Sequence, residues 1–182
     1  MNELWDLYDE NRRALGKTIR RGDAVPPGTY HILAAVWTVN SSGQLLITRR
    51  SPEKFYCPNC WENTGGAVLS GETSRQAAAR ELREETGIDA PPEKFLLLTT
   101  TKEKRFFTDT YLLFTDIPLE QLRMQPGETV EARWAKLEEI EQLGKQGAFV
   151  PIALSQLAPV RERFERLIAS HSGGKAAQRS LD

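Results

Sequence analysis

The sequence predicts an α+β fold in which strands and helices are layered rather than alternated. Short apolar runs rich in β-branched and aromatic residues recur between turn signals. A charged helical segment at 73–86 interrupts them, and further helical patterns come late in the chain. Their order lacks the regular βαβ alternation of a parallel sheet.

Residues 5–30 are charged and punctuated by Gly16, Gly22, Pro26, Pro27 and Gly28. They read as a short hairpin or arm around the turn Asp9-Glu10-Asn11. An apolar strand follows at 31–39, then a turn at 40–43 and a partner strand at 44–50. Pro52 and Pro58 make 51–60 a loop. The stretch 61–68 is short and mixed. Residues 73–86 form a helix with Ala77, Ala78, Leu82 and Thr86 on its apolar side and Gly87 just past its end. Strands are expected at 95–101, 106–116 and 129–134, and a short helix at 137–143. A clearer helix at 155–169 carries Leu157, Val160, Phe164 and Leu167 on one stripe, with Pro159 acceptable only in its first turn. The domain limits are therefore an arm at 1–29, a main domain at 30–171 and a disordered tail at 172–182.

Composition narrows the function. With 182 residues, 40% hydrophobic and 27% charged, the chain can bury one real core. A net charge of −1 excludes a basic binder of nucleic-acid polymers. No apolar run approaches the roughly 20 residues of a membrane span. Residues 1–13 show no apolar signal core, so a cytoplasmic location is expected. Two cysteines cannot build a disulfide scaffold. A monomer or a homodimer is expected, with a small molecule as the partner.

The chemistry concentrates at 66–88. Glu81, Glu84 and Glu85 are three or four residues apart or adjacent, so their carboxylates share one helix face. Like charges at this spacing cost a few tenths of a kcal/mol per pair. A hard cation opposite them, Mg²⁺ or Mn²⁺, would remove that cost. Mg²⁺ commonly completes its shell with substrate phosphates. Glu72 can turn back toward Arg80 or the same cation. The competing reading is a solvated face whose glutamates Arg80 and Arg83 neutralise.

The surrounding spacing decides between them. Gly66, Glu72, Arg80, Glu81, Leu82, Glu84, Glu85, Gly87 and Ile88 form the pattern Gly-x5-Glu-x7-Arg-Glu-apolar-x-Glu-Glu-x-Gly-apolar. This resembles the signature box of the Nudix hydrolases at every fixed position. The resemblance spans about residues 30–143. It implies an α/β/α sandwich with a mixed β-sheet and Mg²⁺-dependent hydrolysis of a diphosphate linked to another moiety. It further implies that Glu81 and Glu85 are the main metal ligands and that Glu84 is a ligand or polariser of the attacking water. The Gly65 carbonyl would complete the shell, and Arg80 would orient the glutamates. An acidic residue ahead of Trp134 would be the added base, Glu128 in preference to Glu131.

Residues 26–66 resemble one branch of that superfamily, type I isopentenyl-diphosphate isomerase, through Tyr30-His31, Trp37, Thr48-Arg49-Arg50, Trp61 and Asn63. The isomerase's cysteine position is Gly66 here, and its histidine position is Val68. That departure argues against isomerase activity. The two alternatives to a hydrolase are thus an isomerase-like enzyme and a non-catalytic binding module, and the intact Glu81, Glu84 and Glu85 argue against the second.

Other residues carry weaker signals. Cys57-Pro-Asn-Cys60 has neither a second pair for zinc nor a thioredoxin-like context, so ordinary loop and packing cysteines are expected. His31 is expected to be a satisfied strand histidine. Arg49 and Arg50 are candidates for binding substrate phosphates. Phe55, Tyr56, Phe106 and Phe107 are expected in the core, Lys102, Lys104 and Arg105 in solvent, and Asp109 on the surface.

Overall fold

The computed structural model describes residues 3–179, with side chains from Glu3 through His171. The opening segment is a hairpin. Strands β1 (Leu4–Tyr8) and β2 (Ala14–Arg20) pair antiparallel around the Asp9 turn. Asp9 holds that turn by accepting from the backbone N–H groups of Asn11 and Arg13 at 2.9 and 2.8 Å.

Seven further strands make one mixed sheet. They are β3 (His31–Val39), β4 (Leu45–Arg50), β5 (Trp61–Glu62), β6 (Thr64–Ala67), β7 (Leu96–Lys102), β8 (Phe106–Phe114) and β9 (Thr129–Ala135). β3 runs parallel to β8 from His31↔Phe106 to Val39↔Phe114, and the other pairings are antiparallel. The expected β3–β4 hairpin is made at one residue pair only, Val39↔Leu45. Beyond it β4 turns to β9 and β5, and β6 takes the freed edge of β3 over Leu33↔Ala67 to Val36↔Thr64.

Both faces of β3 are covered, which is why its sequence is a continuous apolar run. Ile32, Ala34 and Val36 face helix α1 (Ser74–Thr86) with its Ala77, Ala78 and Leu82. Trp37 and Val39 face the opposite layer, α2 (Leu137–Lys145), α3 (Pro151–Leu157) and α4 (Arg161–Arg179). There Trp37 stacks on Phe149 and meets the edge of Phe164, both at 6.0 Å. The result is a helix–sheet–helix sandwich, as the resemblance to the Nudix hydrolases implies.

Two elements differ from expectation. The single helix at 155–169 is broken into α3, a 3-10 turn at Ala158–Val160 and α4. Pro159 lacks the N–H that a continuous helix needs, so the chain tightens there before resuming. The backbone of α4 runs to Arg179, through most of the segment from 172 assigned to a disordered tail, and residues 180–182 lie outside the described structure. Among the described residues no helix is long and apolar enough to cross a membrane.

Asp109 is not on the surface. It is buried on β8, where Arg12 of the hairpin grips both its oxygens, one at 2.7 Å. Thr100 on β7 donates to Oδ1 at 2.6 Å, and Ser74 at the start of α1 donates to Oδ2. One carboxylate thus joins arm, sheet and helix. The basic loop is not merely solvated either. Lys102 donates to the Glu10 carbonyl at 2.9 Å, and Arg105 donates to the Val25 carbonyl.

Burial alone would raise the pKa of Asp109, but hydrogen bonds from Arg12, Ser74 and Thr100 hold it below the usual value. A depressed folded pKa stabilises at neutral pH, and that stabilisation is lost as pH falls through the depressed value. Asp109→Asn is therefore expected to cost about 2 kcal/mol at pH 7. It should also flatten the loss between pH 7 and pH 3. Urea midpoints at the two pH values check this. Parallel acid curves for the variant and the wild type would contradict it.

Candidate active site

Helix α1 is positioned by both ends. Thr73 caps it through a reciprocal box with Gln76, accepting from the Gln76 N–H at 3.3 Å while the Gln76 side chain accepts from the Thr73 N–H at 2.9 Å. Gly87 closes it at φ 75°, in the left-handed region that costs glycine little. The apolar side of α1 packs on the sheet, which turns Glu81, Glu84 and Glu85 to the rim of β6.

There the helix and strand meet at Gly66. A Cβ at Gly66 would lie 2.2 Å from Cδ of Glu81. The absent side chain is therefore what lets the Glu81 carboxylate lie over β6. Gly65 is equally confined, since a Cβ there would be 2.9 Å from the Ala34 carbonyl oxygen.

Arg80 organises the acidic residues. It donates from Nε to Glu72 at 2.8 Å, and from its two terminal nitrogens to Glu81 at 2.8 Å, to Glu84 at 3.2 Å and to the Ala67 carbonyl at 2.9 Å. Glu72, whose Oε2 also accepts from the Leu69 N–H at 3.1 Å, is thus committed to Arg80 and the loop before the helix. Burial opposes the charge on Arg80, but Glu72 and Glu81 more than offset it and its pKa is raised. Burial raises the pKa of Glu81 despite Arg80.

Glu85 stands apart. Its Oε2 is buried and has no hydrogen-bond partner. Burial, with Glu62 and Glu81 nearby, pushes its pKa well above the ordinary carboxylate value. A buried carboxylate oxygen left without a partner costs stability. Among the described residues no three acidic, histidine or cysteine side chains converge into a ready-made cage. Glu81 and Glu84 are turned to Arg80.

These residues open on a cavity of about 540 Å³. Glu81, Glu84, Glu85, Arg80 and Gly65 line it together with Arg50, Lys54 and Glu128. Arg50 is held by Glu62 at 2.6 Å, and Lys54 is paired with Glu128. Burial and Arg50 lower the pKa of Lys54. The sequence-derived candidates are thus brought together with one exception. Arg49 bonds Glu131 at 3.3 Å and the Asn59 carbonyl, and it does not line the cavity.

Sequence reasoning missed Lys54, which an unremarkable loop carries into the site. It also misjudged that loop's neighbours. Cys57 and Cys60 are joined by a disulfide, not free packing cysteines. Phe55 is fully exposed and Tyr56 mostly so, because the loop they sit on projects from the sheet instead of entering the core. Phe107 is buried as expected. His31 is buried and stacked on Trp5 at 4.6 Å, but its Nδ1 has no partner, so it is not satisfied by hydrogen bonds. Burial lowers its pKa.

A mixed sheet with a glutamate-bearing helix laid across a Gly-Gly strand, beside a cation-rimmed cavity, defines a class of hydrolase acting on phosphoanhydrides. The chain belongs to the NUDIX domain family, whose model matches residues 29–154, and the hydrolases of this family act on pyrophosphate bonds. An uncharacterized Nudix hydrolase of Listeria monocytogenes is 39% identical, over 82% of this chain and 89% of its own. The crystal structure of DR0079 from Deinococcus radiodurans superposes with a TM-score of 0.67 at 28% identity, covering 81% of this chain and 92% of the other. An isopentenyl-diphosphate Δ-isomerase of Streptomyces griseus is 34% identical over 47% of this chain and 44% of its own.

Proposed function

We propose that this protein hydrolyses a diphosphate linkage in a nucleotide or small organic diphosphate, using Mg²⁺ or, in its place, Mn²⁺. Glu81, Glu85, Glu84 and the Gly65 carbonyl would hold the ion. The observation that carries this reading is Glu85, a half-buried residue whose Oε2 is buried without a partner and near two more glutamates. Such a group is poorly solvated in the metal-free protein and is matched by a hard dication. When bound, the ion would neutralise phosphate charge and lower the pKa of a coordinated water.

The chain's own residues supply the rest. Arg80 anchors Glu81 by a charge-assisted bond to one of its two oxygens. Glu128 accepts the proton of the attacking water, and Lys54 holds its carboxylate toward the cavity. Arg50 and Lys54 present positive charge to the phosphates. The placement of Glu128 on the cavity supports it over Glu131, which is engaged by Arg49.

The partial likeness to the isomerase fits an isomerase-like subgroup but gives no support to isomerase activity. Gly66 stands at the cysteine position and cannot accept a side chain without moving Glu81. Val68, at the histidine position, is buried in the core under α1.

Phosphate or monophosphate release from a panel of diphosphates, with Mg²⁺ and with a chelator, tests the proposal. Turnover is expected only with the metal. Glu128→Gln is expected to lower kcat on the order of 10²-fold with a smaller change in KM. Turnover that survives chelation would overturn the metal role, and an unchanged kcat in the variant would remove Glu128 as the base.

A further inference from the structure

The family model begins at residue 29, yet three residues upstream of it line the same cavity as Glu81 and Glu85. They are Glu3, Trp5 and Arg21, all from the N-terminal hairpin. Alternation along β1 puts Glu3, Trp5 and Leu7 on one face, and their partners across the hairpin are Arg21 and Ile19. That face changes character along its length. Leu7 and Ile19 are buried in a cluster with Val25, Trp5 packs against it, and a Glu3–Arg21 ion pair ends the face at the cavity.

The hairpin is a fixed wall. The Ser70 N–H donates to the Leu4 carbonyl at 2.8 Å, and the Ser70 hydroxyl and Gly71 N–H donate to Asp6 at 2.7 and 3.0 Å. Tyr8 and Tyr30 exchange two backbone bonds at 2.8 and 2.9 Å. Arg12 is clamped to Asp109. The Trp5 ring is backed by His31, nearly parallel at 16°. No part of this wall must be ordered when a ligand arrives.

Building on the hydrolase reading above, we propose that Glu3, Trp5 and Arg21 select the group attached to the diphosphate, and that they reject a hydrocarbon chain. The Arg21 guanidinium bonds both Glu3 oxygens at 3.1 Å, and its side chain is 58% exposed. The other cavity cations, Arg50, Lys54 and Arg80, are 20% exposed or less and committed to carboxylates. A prenyl chain laid on this wall would strip water from both charges and return no hydrogen bond. A group with polar edges replaces that water, donating to Glu3 or accepting from Arg21, while its flat surface rests on Trp5. Leu33 and Leu69 adjoin the same cavity. Without the ion pair, the wall would be apolar enough to accept the chain it now excludes.

Binding of non-hydrolysable analogues in the presence of Mg²⁺ tests this by calorimetry. The probes are methylenediphosphonate and its isopentenyl ester. The double variant Glu3→Leu, Arg21→Leu is expected to bind the isopentenyl ester at least tenfold tighter than the wild type. Methylenediphosphonate alone should show no such gain in the Leu variant. Glu3→Gln with Arg21→Gln keeps a polar edge and should keep the wild-type affinity for the ester within about threefold, which a purely structural role for the pair would not produce. Equal affinity of wild type and Leu variant for the ester, with methylenediphosphonate bound, would overturn the wall and leave the hydrolase reading standing. Failure of both probes to bind any of the proteins would overturn both.

Discussion

Glu85→Gln is expected to lower kcat on the order of 10³-fold while making the metal-free protein more stable. The two effects have one cause. Glu85 Oε2 is buried without a partner, and Glu62 and Glu81 add like charge. Glutamine keeps the shape and removes the charge. The loss in rate follows because a neutral amide is a poor ligand for a hard dication and no longer offsets its charge.

The gain in stability follows from linkage. The folded pKa of Glu85 lies above its unfolded value, so the metal-free protein loses stability as pH rises from the ordinary carboxylate range through the raised value. The variant has no such loss. Its melting temperature at pH 7.5 without metal should exceed that of the wild type by roughly 2–4 °C, corresponding to about 1 kcal/mol for a chain of this size. Added Mg²⁺ should raise the wild-type melting temperature and leave the variant unmoved. A variant that is both inactive and less stable would show Glu85 to be a structural carboxylate and not a metal ligand.

Gly66→Ala is expected to remove most activity, on the order of 10²-fold, at a stability cost of about 1 kcal/mol or less. The added Cβ would fall 2.2 Å from the Glu81 carboxylate, but that carboxylate is the far end of a flexible side chain. The fold relieves the contact by swinging Glu81 aside and not by opening the sheet. The residue displaced is the one Arg80 holds at 2.8 Å, so the loss is of placement. Gly66→Cys introduces the same Cβ and should fail equally, with no gain of isomerase activity. Retention of more than half the wild-type rate by Gly66→Ala would mean that the position of Glu81 over β6 does not matter to catalysis. Gly66→Ala and Glu85→Gln act on the same proposed metal site, so their effects on rate should not be additive.

Much of this was legible in the residues themselves. The helix Ser74–Thr86 carries its own punctuation in Thr73, Gln76 and Gly87, and its glutamates fall on one face by periodicity alone. Local chemistry of that kind acts within one or two turns of chain, so sequence suffices to read it. Most strands were legible as strands for the same reason, from apolar runs and turn signals, but β5 and β6 read only as a short mixed stretch. Their partners were not. The Asn40–Gly43 turn joins β3 to β4, but β4 leaves after one residue pair, because β6 and β9 compete for the same edges from 28 to 90 residues away.

Residue spacing was enough for the family, the α+β class and the helix face shared by Glu81, Glu84 and Glu85. The tertiary structure alone decided what those residues meet. It buried Asp109 under Arg12, brought Lys54 to Glu128, sent Arg49 to Glu131 and away from the cavity, and made the arm a wall of the site through Trp5 and Arg21. Each of these is a contact between segments far apart in the chain. Spacing fixes which residues share a face, while desolvation and pairing depend on what packs against that face, and only the folded chain supplies that.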